Sequence, residues 1–388
     1  MLKLNEEATK MKAQLTPRTR PLLPGRIRAR IKPALFAVVV LLLLQGALLL
    51  AHDENNGAFL PDQVRSASTI PANGDLNPYG VAFVPPQFPA GGTVTPGNIL
   101  VSNFNSSANL QGTGTTIVDI PPGGPVQLFF QGPAGLGLST ALNILEKGFV
   151  LVGNFPTTGS TCPNPPGAPG SILVIDKNGN LVNTLSDPLI NGPWDSALFD
   201  QGNSAKFFVA NALTGTVVRL DLSVDASGVT VKSITQIASG YAHACDSVTF
   251  VDAPTGLVYD AVRDVLYVAS TLDNEVFAVG DAGDTNRDRG PGTLVYADNV
   301  HLHGPLGMIQ APNGHLIVSN NDAVNSNPNQ PSELVEFTKG GRFVKQISVD
   351  PLQGGSFGLA VAASGDVAHL AAVDDNQNIL LIWTLKLP

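Results

Sequence analysis

Charge is scarce in this chain: 14% of its 388 residues are Asp, Glu, Lys or Arg. That leaves little room for the charged outer faces of surface helices. Disorder requires high charge with low hydrophobicity, and 43% apolar residues exclude it for the bulk of the chain. Basic residues are missing from the body in particular. Of 22 Lys and Arg, nine lie in residues 1–33 beside two acids, which leaves 13 basic against 29 acidic residues elsewhere, a net of −16. Such a body repels phosphate backbones, so nucleic acid is excluded as a partner. Two cysteines, Cys162 and Cys245, permit one disulfide at most. No Gly-x-Ser-x-Gly elbow, no phosphate-cradling loop with Lys and no Cys-His pairing is present. The sequence signatures of nucleophilic and nucleotide chemistry are therefore absent.

What the chain has in quantity is Gly (40) and Pro (30), the punctuation of many short strands joined by tight turns. It also repeats itself. Second apolar runs end in Val101-Ser-Asn103, Val152-Gly-Asn154, Val209-Ala-Asn211, Val268-Ala-Ser270, Val318-Ser-Asn320 and, degraded, Ala371-Ala-Val373. Their last residues lie 51, 57, 59, 50 and 53 positions apart. A period of this length with several short strands per unit marks a propeller or solenoid array, and an array is one domain however long it runs.

Ahead of the array lies a targeting device. Arg26, Arg28, Arg30 and Lys32 precede Ala34–Ala51, an uncharged apolar run of 18 residues broken only by Gln45-Gly46. Basic residues before an apolar core hold the N-terminus in the cytoplasm and send the rest of the chain across the membrane. The expected organisation is a basic cytoplasmic n-region (1–33), a signal-peptide core or membrane anchor (34–51), a leader (52–62) and a propeller body (63–388). Cleavage suits the Gln-Gly break and Ala51; retention suits a core just long enough to span. Either way the body is exported, to the periplasm or outside the cell, and touches membrane only through the N-terminal segment. In an oxidising compartment a Cys162–Cys245 disulfide is expected.

Six units account for residues 63–387. The first opens at Asn77-Pro-Tyr-Gly-Val-Ala-Phe83 and continues as Gly97-Asn-Ile-Leu-Val-Ser-Asn103. The last stops one strand short, after Asn378-Ile-Leu-Leu-Ile-Trp-Thr384, and Gln63–Ile70 has no other partner. Closing the ring with that strand removes exposed sheet edges. The fold expected is all-β, a six-bladed propeller of four-stranded blades with terminal-strand closure, behind an N-terminal hydrophobic helix. The repeated Pro-x-Gly-Val-Ala and Gly-x-Ile-x-Val-x-Asn phrases resemble those of the NHL-repeat propellers. Related six-bladed lyases place His at the mouth in the first-strand position, which holds no His here. Gluconolactonase-like propellers need a Glu, Asn and Asp set around a divalent cation, and no first strand here starts with Glu.

In a propeller, turns between blades and turns between second and third strands share one face, where ligand sites open. Cys162 and Cys245 both fall on it. Two rings of residues are expected around its mouth. One follows Pro in Pro-x-Gly or its equivalent: Tyr79, Leu138, Trp194, Thr255, Leu306 and Phe357. The other ends the second strands: Asn103, Asn154, Asn211, Ser270 and Asn320. Together they offer an aromatic floor edged with amides, suited to a small uncharged or glycan-like ligand. The plainer reading has the Asn residues satisfying turn backbone and the apolar residues packing blade on blade.

Catalytic candidates are His243, Asp246, His301 and His303, on the segments flanking the fourth blade. His301-x-His303 puts two imidazoles on one side of an extended segment, and Asp322 can join them around zinc. Asp284, Asn286 and Asp288 space hard oxygens like a calcium loop, but without the Gly and the bidentate Glu. Asp374-Asp375 is an acid pair at a mouth-facing turn. No cofactor is required by any motif; calcium or zinc is the ion these residues suit. The leading expectation is a noncatalytic, monomeric binding module for a protein, glycan or small apolar ligand. The alternative is a metal-dependent envelope lyase or hydrolase.

Overall fold

A computed structural model describes residues 57–60, 65–157, 169–246 and 248–387. The regions 1–33 and 34–51 lie outside the described residues, as does Cys162. Short β-branched and aromatic runs between Gly, Pro and Asn turns form strands throughout.

Strand β1 (Arg65–Ser68) opens the body but completes its last blade. Blade 1 is β2 (Leu76–Phe83), β3 (Ile99–Asn105), β4 (Thr116–Ile120) and β5 (Gln127–Gln131). Blade 2 is β6 (Leu138–Leu145), β7 (Phe149–Asn154), β8 (Ser171–Asp176) and β9 (Leu181–Leu185). Blade 3 is β10 (Pro193–Asp200), β11 (Ser204–Asn211), β12 (Thr216–Asp225) and β13 (Gly228–Ser239). A two-stranded hairpin, β14 (Ala244–Asp246) and β15 (Phe250–Asp252), bridges to blade 4 and was not foreseen from the repeat. Blade 4 is β16 (Pro254–Asp260), β17 (Val265–Ser270), β18 (Glu275–Gly280) and β19 (Thr293–Tyr296). Blade 5 is β20 (Pro305–Gln310), β21 (Leu316–Asn320), β22 (Glu333–Phe337) and β23 (Phe343–Ser348). Blade 6 is β24 (Ser356–Ser364), β25 (Val367–Asp374) and β26 (Ile379–Lys386), finished by β1. The closure is antiparallel, from Arg65 opposite Ile382 to Ser68 opposite Ile379. The fold is thus an all-β six-bladed propeller of four-stranded blades. Its core is repeated between blades, where Leu100 and Ile117 of blade 1, for example, interleave with Leu142 and Val152 of blade 2.

The repeated phrase has a mechanical reading. Every first strand carries a register shift, after its opening residue Leu138, Pro193, Pro254, Pro305 or Ser356 in blades 2 to 6 and after Pro78, the third residue of β2, in blade 1. Such a bulge bends the strand and re-aims the residue behind it. In blades 4, 5 and 6 a Gly two places after that opening residue (Gly256, Gly307, Gly358) then lets neighbouring inner strands meet. A β-carbon on Gly358 would stand 1.8 Å from Tyr79 O, and one on Gly256 2.2 Å from Leu306 O.

Opposite each of these residues lies a polar residue at the end of the second strand, or two places before it in blade 1. These are Asn103, Asn154, Asn211, Ser270 and Asn320 in blades 1 to 5, and Asp374 in blade 6. The degraded sixth phrase therefore ends at Asp374 and not at Val373; reading it one residue early hid its polar end. The Asn amides hold the turns between blades. Asn103 donates to Thr69 O (3.2 Å), and Asn211 accepts from Asn191 N–H (3.0 Å) and donates to Leu189 O (2.8 Å). Asn154 accepts from Gly137 N–H at 3.0 Å.

Part of the expected leader is packed onto the body. Phe59 and Leu60 are buried against blades 5 and 6, and their N–H groups donate to the Glu336 carboxylate at 2.8–3.1 Å. Glu336 is itself buried and accepts from His315 and Asn313.

Candidate metal centre at the channel mouth

The bulges turn the first ring of expected ligand residues into the channel, where they meet one another. Tyr79 stacks on Phe104 and Phe357 (ring centroids 4.6 and 4.5 Å apart), and Trp194 stacks on Phe250 at 5.8 Å. Phe155 packs edge-on to Trp194 and Phe250. Phe250, held at φ 74° by the unforeseen hairpin, completes the cluster. The result is an aromatic plug. Tyr79 and Trp194 are 2% and 1% exposed, so the open floor expected from the sequence is filled by its own rings. Leu138, Thr255 and Leu306 are buried too.

Beside the plug a cavity of about 370 Å³ remains, lined by Asn77, Tyr79, Asn321, Asp322, Phe357 and Asp375 among others. Its walls are turns between second and third strands and segments between blades, so it lies on the looped face. Burial pushes the Asp375 carboxyl up to about 7, helped by the neighbouring Asp374 charge. Burial likewise raises Asp374 to about 6, against the Gln377 N–H that favours its charged form. The Tyr79 hydroxyl is pushed well above its ordinary range by burial and by the charges of Asp375 and Asp252.

Under Asp322 three ligand-type side chains converge. His303 lies on the segment entering blade 5, Asp322 follows β21, and Glu333 begins β22. One ligand atom from each lies within 4.8 Å of the other two, and all three residues are buried. Each brings an atom without a hydrogen bond: His303 Nδ1, Asp322 Oδ1 and Glu333 Oε1. His303 Nδ1 and Glu333 Oε1 stand 3.2 Å apart but lack the alignment of a hydrogen bond. The outer atoms are held firmly. Asp322 Oδ2 accepts from Ser332 and Gly354 N–H at 2.9 and 3.1 Å, Glu333 Oε2 accepts from Asn320 Nδ2, and His303 N–H donates to Asn320 Oδ1. Burial raises both carboxyls above their usual range, more than these donors lower them. A buried polar atom left without a partner costs roughly 1–3 kcal/mol; Asp322 Oδ1 is such an atom, while His303 Nδ1 and Glu333 Oε1 face only one another at 3.2 Å. A divalent cation held by His303, Asp322 and Glu333 would partner all three.

His303 and Asp322 were singled out by the sequence; Glu333 was missed. The repeat held a signal for it. The position across from the strand-end residue is Thr116, Ser171 and Thr216 in blades 1 to 3, hydroxyls that accept from Asn103, Asn154 and Asn211. Blades 4 and 5 put a carboxylate there, Glu275 opposite Ser270 and Glu333 opposite Asn320, and Glu333 is the one beside His303.

The other candidates stand apart from this cluster, which is the one such group among the described residues. His301 pairs with Asp298 at 2.5 Å and stacks on Phe343 (3.7 Å between centroids). His243 is exposed and meets Tyr241 O, while Asp246 accepts from the Val248 and Thr249 N–H groups within its own turn. Asp284 is exposed beside Lys206, and Asp288 accepts from Gln236 and Gly290. Arg219 takes the Thr285 carbonyl between them, so a cation already occupies part of that loop's oxygen set. Asn286 lies in this β18–β19 turn. Cys245 sits on β14; no described cysteine is free, and its expected partner lies outside the described residues.

No protein-family model and no curated protein sequence matches the chain. Among solved structures it is similar to a protein described as an oxidoreductase (glucose dehydrogenase) from Thermus thermophilus, at 13% identity and TM-score 0.47, over 83% of this chain and 100% of that one. A protein described as a gluconolactonase shares 12% identity (TM-score 0.47; 84% and 94% covered). The calcium-binding protein regucalcin from Agrobacterium tumefaciens shares 13% (TM-score 0.49; 83% and 95% covered). Likeness at this level is one of fold and says nothing of activity.

Proposed function

We propose that the chain is a metal-dependent hydrolase or lyase acting on the looped face of its propeller. One observation carries this reading. Three buried ligand atoms without hydrogen bonds, His303 Nδ1, Asp322 Oδ1 and Glu333 Oε1, meet under a cavity that Asp322 itself lines. One nitrogen and two carboxylates suit zinc better than calcium, which gathers six to eight oxygens. When bound, such an ion supplies Lewis-acid polarisation of a substrate oxygen.

The chain's own residues supply the rest. Asp375, with its carboxyl near 7, gives or takes a proton at neutral pH within the same cavity. Asn77, Gln111 and Asn321 offer amides to orient a polar substrate, and Tyr79 and Phe357 give it an apolar floor. A cavity of about 370 Å³ is within the size range of small-molecule sites. Export through residues 34–51, a Cys162–Cys245 disulfide and kinship with the NHL-repeat propellers belong to the same proposal. They rest on the basic-apolar leader, the cysteine count and the Pro-x-Gly-Val-Ala phrase.

The test is a panel of small esters and lactones, assayed with and without chelator. Turnover that chelation abolishes, and that His303→Ala loses together with its metal, supports the reading. Asp375→Asn should keep the metal and lose turnover. Turnover indifferent to chelator and to His303→Ala would overturn it.

A further inference from the structure

The mouth cavity has a polarity of its own. Of the described residues that line it, none is Lys, Arg or His, while Asp322 and Asp375 bring carboxyls. A carboxylate or phosphate ligand would meet no positive side chain there and two acids. Two amides in the lining have an acceptor atom to spare. Asn77 is 6% exposed, yet its Oδ1 has no hydrogen-bond partner, and neither has the buried Oε1 of Gln111.

Both amides are held by their other ends, so these oxygens are what remains. Asn77 sits at φ 60° just ahead of the β2 bulge, with its own N–H on Asn378 Oδ1 at 2.7 Å. Its side-chain amide meets the Tyr79 hydroxyl in the sense that favours the ionised phenol, which is donation from nitrogen. Gln111 Nε2 donates to Val248 O at 3.2 Å. Asn321 is used the opposite way. Its Oδ1 accepts from Ala323 N–H at 2.9 Å, which leaves its Nδ2 donor for a ligand.

We propose that the substrate of this site is a small primary carboxamide, with its two N–H groups taken by Asn77 Oδ1 and Gln111 Oε1 and its carbonyl oxygen by Asn321 Nδ2. This rests on the hydrolytic reading of the site and adds that the leaving atom is nitrogen. An amide nitrogen carries donors and no free lone pair, so it suits acceptors that have no donor beside them. An ester oxygen in that place would face two further acceptors. Buried acceptors left unpaired are how a site rejects an analogue that lacks the N–H. Tyr79 and Phe357 take the apolar part of the molecule. Hydrolysis adds one water across the C–N bond. The water oxygen goes to the acyl carbon and one of its protons to the nitrogen, and an acid and ammonia leave.

The experiment is calorimetric titration of the purified full chain with benzamide, acetophenone and benzoate, which carry NH2, CH3 and O− at the same place. Chelator is present throughout, so that no ion can hold the carboxylate. Benzamide should bind once per chain, acetophenone about tenfold more weakly or worse, and benzoate not at all. Gln111→Met removes the acceptor and keeps the length of the side chain. It should weaken benzamide about tenfold and leave acetophenone unchanged. Equal binding of benzamide and acetophenone, or no benzamide binding at millimolar concentration, would overturn the proposal. That comparison uses the unaltered chain, so it decides the matter even where Gln111→Met fails to fold. Binding is read apart from turnover. Chelator-sensitive ester turnover by a chain with no preference for benzamide would remove the carboxamide alone, and the preference without any turnover would remove the hydrolase and keep the amide pocket.

Discussion

Glu333 stands in the fifth blade where Thr116 stands in the first. Each accepts from the Asn ending the preceding strand, Glu333 Oε2 from Asn320 at 3.2 Å and Thr116 Oγ1 from Asn103 at 3.3 Å. The hydroxyl is spent on the blade itself. The carboxylate has a second oxygen, and that oxygen stands 3.2 Å from His303 Nδ1. Glu333→Thr restores the repeat and removes one ligand. The variant should fold, melt in chelator no lower than the parent, and bind no metal. A variant that keeps full metal content would show that Glu333 is no ligand.

Ring closure rests on a contact that tolerates no side chain. A β-carbon at Gly358 would stand 1.8 Å from the Tyr79 carbonyl oxygen, between blades 6 and 1. Gly358→Ala should cost about 2 kcal/mol or more, because backbone must move to admit it. Gly280→Ala meets nothing within 4 Å and is the control. Equal urea midpoints for the two variants would mean that the inner strands are not this close.

Residues 57–60 are held by the buried Glu336 carboxylate, with Asn313 and Lys345 donating to the Gly57 and Leu60 carbonyls. Glu336→Ala strips the Phe59 and Leu60 N–H groups and the His315 ring of their acceptor. Breaking a buried charged network in this way costs about 3–5 kcal/mol. Proteolysis should open the segment near Phe59 in the variant before it touches the blades. Unchanged resistance there would place the anchor elsewhere.

Stability should fall as pH rises from about 4 to about 7. Folding raises the Asp375 carboxyl from 3.8 to about 7, so across that window the folded chain holds a proton that the unfolded chain has lost. The contribution is fully present below pH 3.8 and is gone above about 7. Melting temperatures of Asp375→Asn should decline less steeply over this range than those of the parent. Parallel curves would mean that Asp375 ionises freely in the fold.

Cys162 and Cys245 are the only cysteines. On the proposed pairing, the denatured, unreduced chain has no free thiol and Cys162→Ser has one. Two free thiols in the parent would remove the disulfide.

The architecture was legible because it is repeated. Six strand-end phrases marked six blades, and the strand without a partner near residue 65 found its place beside β26. The hairpin of β14 and β15 was not legible, since it occurs once and interrupts the period. With it went Phe250, and without Phe250 the aromatic ring reads as an open floor and not as a plug. The metal candidates were half legible. His303 and Asp322 stand in loops, where polar residues invite attention. Glu333 opens an apolar strand, and its register against Thr116, Ser171 and Thr216 sets it apart from those three blades but not from blade 4, where Glu275 holds the same place. Asp374 was hidden by a slip of one residue, which in a strand exchanges one face for the other.

The decisive measurement is the metal content of the protein, purified without chelator or affinity histidines. One equivalent of zinc per chain, lost in His303→Ala and in Glu333→Thr while both variants stay folded, is the expected result. A folded, metal-free parent that takes up no zinc at micromolar concentration would contradict the mouth site and the activity built on it.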